Sequence, residues 1–115
     1  MTSAKFIELY PCPKDIAAFE QAYQEEHVPM VSEKLVGKTK VVMTKIFGSL
    51  KGAPDFYWVA EIHFPSMEVL SKCTMSQGGK ETMAHATSIS TGGEPIFLIA
   101  LEETVTFDKT SRVAA

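Results

Sequence analysis

Apolar and polar residues alternate through Phe56-Tyr57-Trp58-Val59-Ala60-Glu61-Ile62-His63-Phe64, with no Gly or Pro to interrupt them. Period-two alternation among aromatic and β-branched residues predicts a β-strand. One face carries Phe56, Trp58, Ala60, Ile62 and Phe64, and the other Tyr57, Val59, Glu61 and His63. Lys5 to Tyr10 predicts an earlier strand, closed by Pro11 and Pro13. Its Ile7 and Leu9 read as the apolar face, and Phe6, Glu8 and Tyr10 as the mixed one. Between these strands Ile16, Phe19, Tyr23, His27 and Met30 recur at helical spacing behind Asp15, a good N-cap. Pro29 is expected to break or kink this helix just after His27. A short second piece then runs to Leu35, with Gly37 as its stop.

Thr39 to Phe47 predicts another strand, and Gly48 to Pro54 a loop. Ser66 caps a short helix to about Cys73, and Ser76 to Ile89 contains a further helix. Ser90 to Gly93 is a turn. Ile96 to Val105 is the last strand, and its unbroken apolar start, Ile96 to Leu101, predicts burial on both faces. Residues 110–115 read as a frayed tail.

The order β-α-β-β-α-β predicts an α+β, ferredoxin-like split βαβ fold. That topology gives a four-stranded antiparallel sheet with helices on one face and the first and third strands central. The helices can cover Ile7, Leu9, Trp58, Ile62 and Phe64. They cannot also cover Phe6, Tyr10, Tyr57, Val59 and half of the last strand. An uncovered apolar face predicts association. A homodimer with its sheets face to face, curved into a barrel, solves the problem with the commonest symmetry.

Composition narrows the picture. A chain of 115 residues suits a single domain, here residues 1–115. With 45% apolar and 22% charged residues it can bury a core without staples. Net charge is −3 with no Lys/Arg run, which excludes nucleic acid as an expected partner. No apolar stretch is long enough to span a membrane. Cys12 and Cys73 stand far apart in unlike contexts, so reduced thiols and a cytoplasmic location are expected.

Candidate chemistry centres on the mixed strand faces. Glu61 and His63 are same-face neighbours about 7 Å apart on a central strand. A carboxylate enclosed there must be paired, hydrated or neutral. Glu8 on the first strand is expected near it, and two carboxylates in one cavity would push one toward the neutral acid. His27 sits in the last turn of the first helix, where it either caps carbonyls or serves as a base at the barrel mouth. Tyr10, Tyr23 and Tyr57 offer phenol donors, each with packing as the alternative role. No H-x-x-x-H or C-x-x-C spacing marks a metal site, and no G-x-G-x-x-G follows a strand.

The pieces Phe19-x-x-x-Tyr23-x-x-x-His27-x-Pro29-Met30, the loop Gly48 to Pro54 followed by Tyr57, Ala60-Glu61-Ile62-His63-Phe64 and Thr91-Gly92-Gly93 resemble the EthD family. The namesake of that family is encoded with genes for ethyl tert-butyl ether degradation. The resemblance runs roughly from residue 5 to residue 103, in register with all four strands. It implies a dimeric α+β barrel, the fold reached above by another route. Tyr23, His27, Tyr57 and Glu61 are the family-like polar residues. Ala22 stands where relatives often carry His, and His63 where they more often carry an aromatic.

The expected catalytic groups are therefore Glu61, His27 and His63, with Tyr57, Tyr23, Tyr10 and Glu8 binding substrate. The expected ligand is a small apolar organic acid, lactone or polyketide-like compound held in the barrel. The expected chemistry is acid/base, with no cofactor and no metal. Two alternatives stand beside this: an accessory protein that binds a hydrophobic molecule without turnover, and a haem protein with His85 as axial ligand.

Overall fold

A computed structural model describes residues 3–108. The strands are β1 (Ser3–Pro11), β2 (Lys40–Lys45), β3 (Phe56–Phe64) and β4 (Ile96–Glu102). They form one antiparallel sheet in the order β2-β3-β1-β4, with β1 and β3 central. The fold is therefore α+β and ferredoxin-like. The predicted tail at residues 110–115 lies outside the described residues.

The helices are α1 (Ile16–Ala22), α2 (Val28–Lys34), α3 (Met67–Met75) and α4 (Gln77–Ile89). Asp15 caps α1 by accepting from the Ala18 N–H at 3.0 Å. Ser66 does the same for α3. Ser76 serves two helices: its hydroxyl donates to the Cys73 carbonyl at the end of α3 and accepts from the Gly79 N–H at the start of α4.

Pro29 does not break the first helix. Instead α1 passes through a π-helical turn, Tyr23–His27, directly into α2. Proline has no N–H to offer the carbonyl four residues back. The widened turn accommodates this, and the Val28 N–H reaches the Tyr23 carbonyl five residues back. Gly37, at φ 95°, then supplies the left-handed residue that ends the helical run.

Register overturns the predicted facing of β1. Phe6 pairs with Ile62, Glu8 with Ala60 and Tyr10 with Trp58, and all six are buried beneath the helices. Lys5, Ile7 and Leu9 instead share the open face with His63, Glu61 and Val59. Apolar side chains stand at both phases of β1, so alternation alone does not choose between them. The larger rings of Phe6 and Tyr10 fill the helix side. β4 departs from expectation too. As an edge strand it leaves Ile96, Leu98, Ile99 and Leu101 exposed in the single chain, and only Phe97 packs against the core. β2 is shorter than predicted.

The core has two halves on the helix side. One gathers Ala4, Phe6, Val31, Leu35, Ile62, Phe64, Leu70 and Cys73. The other joins Tyr10, Phe19, Tyr23, Trp58, Ala60, Ala86 and Ile89. Glu8 and His27 are buried between them.

Candidate functional site

Polar groups converge beneath the helices. Glu8 on β1 is 1% exposed and His27, at the end of the π-helical turn, is fully buried. Tyr10 donates its hydroxyl to Glu8 Oε1 at 2.9 Å. His27 Nε2 stands 3.5 Å from the same carboxylate oxygen and 3.5 Å from the Tyr10 oxygen. Glu8 Oε2 has no hydrogen-bond partner. Glu8 belongs to the wall of a small cavity of about 10 Å³, which Phe6, Leu35, Phe64 and Thr82 also line. That is room for about one water molecule.

The outer side of His27 leads away from the core. Its Nδ1 is 3.0 Å from Nδ1 of His85 on α4. His85 Nε2 in turn is 3.2 Å from Oε1 of the exposed Glu26. Both ring nitrogens of His85 are thus engaged, which leaves neither free for a haem iron. Burial pushes the phenols of Tyr10 and Tyr23 well above their ordinary range, and the charge of Glu8 adds to the effect. Both remain protonated donors near neutral pH.

Tyr23 links this cluster to a cleft. Its ring lies 5.1 Å from the His27 ring and 5.8 Å from the Tyr10 ring, centroid to centroid. It is also part of the wall of an apolar cleft of about 130 Å³ between α2 and β2. Val28, Val31, Val41 and Met43 supply the apolar lining, with Ser32 and Lys38 as the polar groups. The Lys38 amine donates to the carbonyls of Ser32 and Leu35.

The predicted residues therefore divide into three places. His27, Glu8, Tyr10 and Tyr23 come together under the helices. Glu61 and His63 lie on the open sheet face, where Lys5 Nζ meets Glu61 Oε2 at 2.6 Å and His63 Nδ1 is 3.5 Å from Glu102 Oε1. The hydrogen bond from Lys5 to Glu61 holds the amine above its usual range. Tyr57 joins neither group. Its hydroxyl is hydrogen-bonded to Glu20 on α1, and its ring packs on Phe19 and Trp58. That bond, with the Lys45 amine, keeps the Glu20 carboxyl below the usual carboxylate range. Glu8 and Tyr10 are thus corrected from neighbours of Glu61 to partners of His27.

His85 and Glu26 were not among the expected catalytic or binding residues. His85 lies 58 residues from His27, and no local spacing joins them. The available signal was that His85 borders the buried stripe Thr82, Ala86 and Ile89 on α4. Among the described residues, no three His, Cys, Asp or Glu side chains form a group able to hold a metal ion. No described helix is long and apolar enough to cross a membrane. Cys12 is exposed and Cys73 buried, both free, and burial raises the Cys73 thiol away from reactivity.

Comparison with known proteins gives this geometry a family. No family model matches the chain. An uncharacterised 11.0 kDa protein from the thcB–thcC intergenic region of Rhodococcus erythropolis is 31% identical over 98 residues, 84% of this chain and 92% of that protein. The crystal structure of an ethyl tert-butyl ether degradation (EthD) family protein from Bacillus halodurans superposes with a TM-score of 0.79 at 28% identity, over 89% of this chain and 99% of that one. An EthD-like protein from Ralstonia eutropha gives 0.63 at 21% identity, over 96% and 99%. The fold alone is shared with a hydroxynitrile lyase from Passiflora edulis, with a TM-score of 0.67 at 10% identity over 90% and 96% of the two chains. It is shared likewise with a cofactor-independent oxygenase from Streptomyces nogalater, at 0.59 and 12% over 91% and 95%. Over about nine-tenths of its length the chain is thus EthD-like in fold and sequence.

Proposed function

We propose that this protein is a small-molecule enzyme that moves a proton on an apolar carbonyl compound, with Glu8 and His27 as its acid/base pair. The observation that carries this reading is a buried carboxylate with one oxygen unpartnered, beside a buried imidazole and behind an apolar cleft. Burying such groups is costly, and sites that perform acid/base work are where that cost recurs. The substrate occupies the cleft between α2 and β2, of a size suited to a ring or short chain. Tyr23 separates cleft from cluster, and rotation of its ring joins the two. Tyr10 holds Glu8 in place by donating its hydroxyl to the carboxylate. The lyase and the cofactor-independent oxygenase on the same fold support an enzyme of this general kind.

The working unit is a homodimer joined through the open sheet faces. Ile7, Leu9, Val42, Val59, Ile96 and Leu98 share that face, and Val42, Ile96 and Leu98 are exposed in the single chain. A patch of this kind is an association surface. Dimeric ferredoxin-like proteins of the same fold, such as one from a Jannaschia species, support this assembly. Lys5, Glu61, His63 and Glu102 are its polar groups, with Lys5 ion-paired to Glu61.

One observation favours a second reading, an accessory protein that only holds a hydrophobic molecule: neither Glu8 nor His27 lines the cleft. Turnover assays on compounds captured by native mass spectrometry separate the readings. Glu8→Gln and His27→Asn are expected to lower turnover by about 10²- to 10⁴-fold, the usual worth of a general acid or base. Glu61→Gln is expected to keep it. The reverse pattern would return the chemistry to the open face, and a bound compound that never turns over would favour the accessory role.

A further inference from the structure

We infer that His85 and Glu26 form a proton relay that connects the buried Glu8–His27 pair to solvent. The inference rests on the reading of Glu8 and His27 as the acid/base centre, and it adds the path by which that centre regains or sheds a proton.

A buried acid that gives up its proton must recover it in each cycle. Glu8 is 1% exposed and His27 fully buried, so neither exchanges directly with water. Among the described residues, a continuous polar line leads outward from Glu8 Oε1 to His27 Nε2 at 3.5 Å, from His27 Nδ1 to His85 Nδ1 at 3.0 Å, and from His85 Nε2 to Glu26 Oε1 at 3.2 Å. Exposure rises from His27 outward. His85 is 19% and Glu26 64% exposed.

The Nδ1···Nδ1 contact fixes how protons are shared. Two N–H groups cannot face each other at that distance, so only one ring nitrogen of the two carries the bridging proton. Two arrangements give each ring nitrogen of the histidine pair a consistent role. In the first, His85 is the imidazolium: it donates from Nε2 to Glu26 and from Nδ1 to His27, while His27 carries its proton on Nε2, 3.5 Å from the Glu8 carboxylate. In the second, the bridging proton has moved to His27 Nδ1 and the Nε2 proton of His27 has moved to Glu8. His85 is then neutral and still bonded to Glu26. The two differ only by two N–H bonds broken, one N–H and one O–H bond formed, with no net change in protons. An outer imidazolium is thereby converted into an inner carboxylic acid. The rings are 10° from parallel, and each hop follows an existing contact. Ionisable groups facing the path are Glu8 and Tyr10 from β1, Tyr23 and Glu26 from the π-helical turn, and no others that contact His27 or His85 among those described.

The test needs no substrate, so failure of the relay and failure of the catalytic reading are told apart. Nitrogen-15 NMR of the histidine rings in the intact protein is expected to show His27 switching tautomer, from Nδ1–H to Nε2–H, as His85 takes up its proton. Exchange of the His27 ring proton with solvent is expected to slow about tenfold or more in His85→Ala, and to recover when imidazole is added, as it does when a missing relay group is replaced. Glu26→Gln, on the surface, checks the path without touching the core and is expected to slow the same exchange. A His27 tautomer indifferent to the state of His85, or exchange unchanged in both variants, would overturn the relay.

Discussion

Glu8 pairs across the sheet with Ala60, whereas Glu61 pairs with Ile7, so the two carboxylates project from opposite faces of adjacent strands. One is enclosed with an imidazole; the other is tied to Lys5 at the open face. They are chemically alike and differ only in phase, which makes the matched Gln substitutions informative.

Glu8→Gln keeps an oxygen to accept from Tyr10 and removes a buried charge with an unpartnered oxygen. Stability is expected to hold or rise by about 1 kcal/mol while turnover falls. Glu61→Gln, losing a partly exposed ion pair, is expected to cost no more than about 1 kcal/mol. Urea denaturation measures both. A large loss from Glu8→Gln would mark Glu8 as a structural residue.

Alkaline pH should destabilise the protein through Tyr10 and Tyr23. Their folded phenols lie above the ordinary value of 10.0, from burial first and the charge of Glu8 second. The unfolded chain therefore ionises before the folded one. The stabilisation is complete below pH 10 and is lost as pH rises above it, by up to about 1.4 kcal/mol per pH unit for each phenol. Unfolding midpoints followed into the alkaline range should fall less steeply in Tyr10→Phe and Tyr23→Phe. Parallel curves would place the loss in other groups.

Leu98 stands on the open face of the edge strand β4, paired with Ile7, and is 44% exposed in the single chain. Leu98→Lys is expected to shift sedimentation from dimer toward monomer. Each leucine withdrawn from a covered site forfeits roughly 1.5–3 kcal/mol, and a two-fold dimer loses it twice. A wild-type protein that already sediments as a monomer at micromolar concentration would remove the dimer altogether.

A side chain at Gly92 would run into the Cys12 carbonyl oxygen, where the loop after β1 crosses the loop before β4. That oxygen is a backbone atom and cannot swing aside as a side chain does. Gly92→Ala is expected to cost roughly 1–3 kcal/mol and to lower the melting temperature accordingly. An unchanged melt would show that these loops separate freely.

Much of the fold was legible because its signals are local. The alternation from Phe56 to Phe64 marks the full length of β3, and Asp15, Ser66 and Ser76 mark three helix starts. Phe19, Tyr23 and His27 recur at helical spacing and all three are buried, although His27 was expected to cap carbonyls or to stand at the barrel mouth. The phase of β1 was not legible, because Phe6 and Tyr10 compete with Ile7 and Leu9 for the same core. Nor was the meeting of His27 with His85, which depends on how α4 packs against the π-helical turn. The site's groups were mostly named, but its location under the helices is a tertiary outcome.

The π-helical turn at Tyr23–His27 has the form of a helix lengthened by one residue. Removing a residue ahead of His27 would let the coil close, turning α1 about 100° around the axis relative to His27 and α2. Phe19 and His27 would then no longer face the core together, although the amino acids on either side were all retained. One extra codon is thus enough to let a single amphipathic rod seat both an aromatic core and a histidine aimed at a carboxylate.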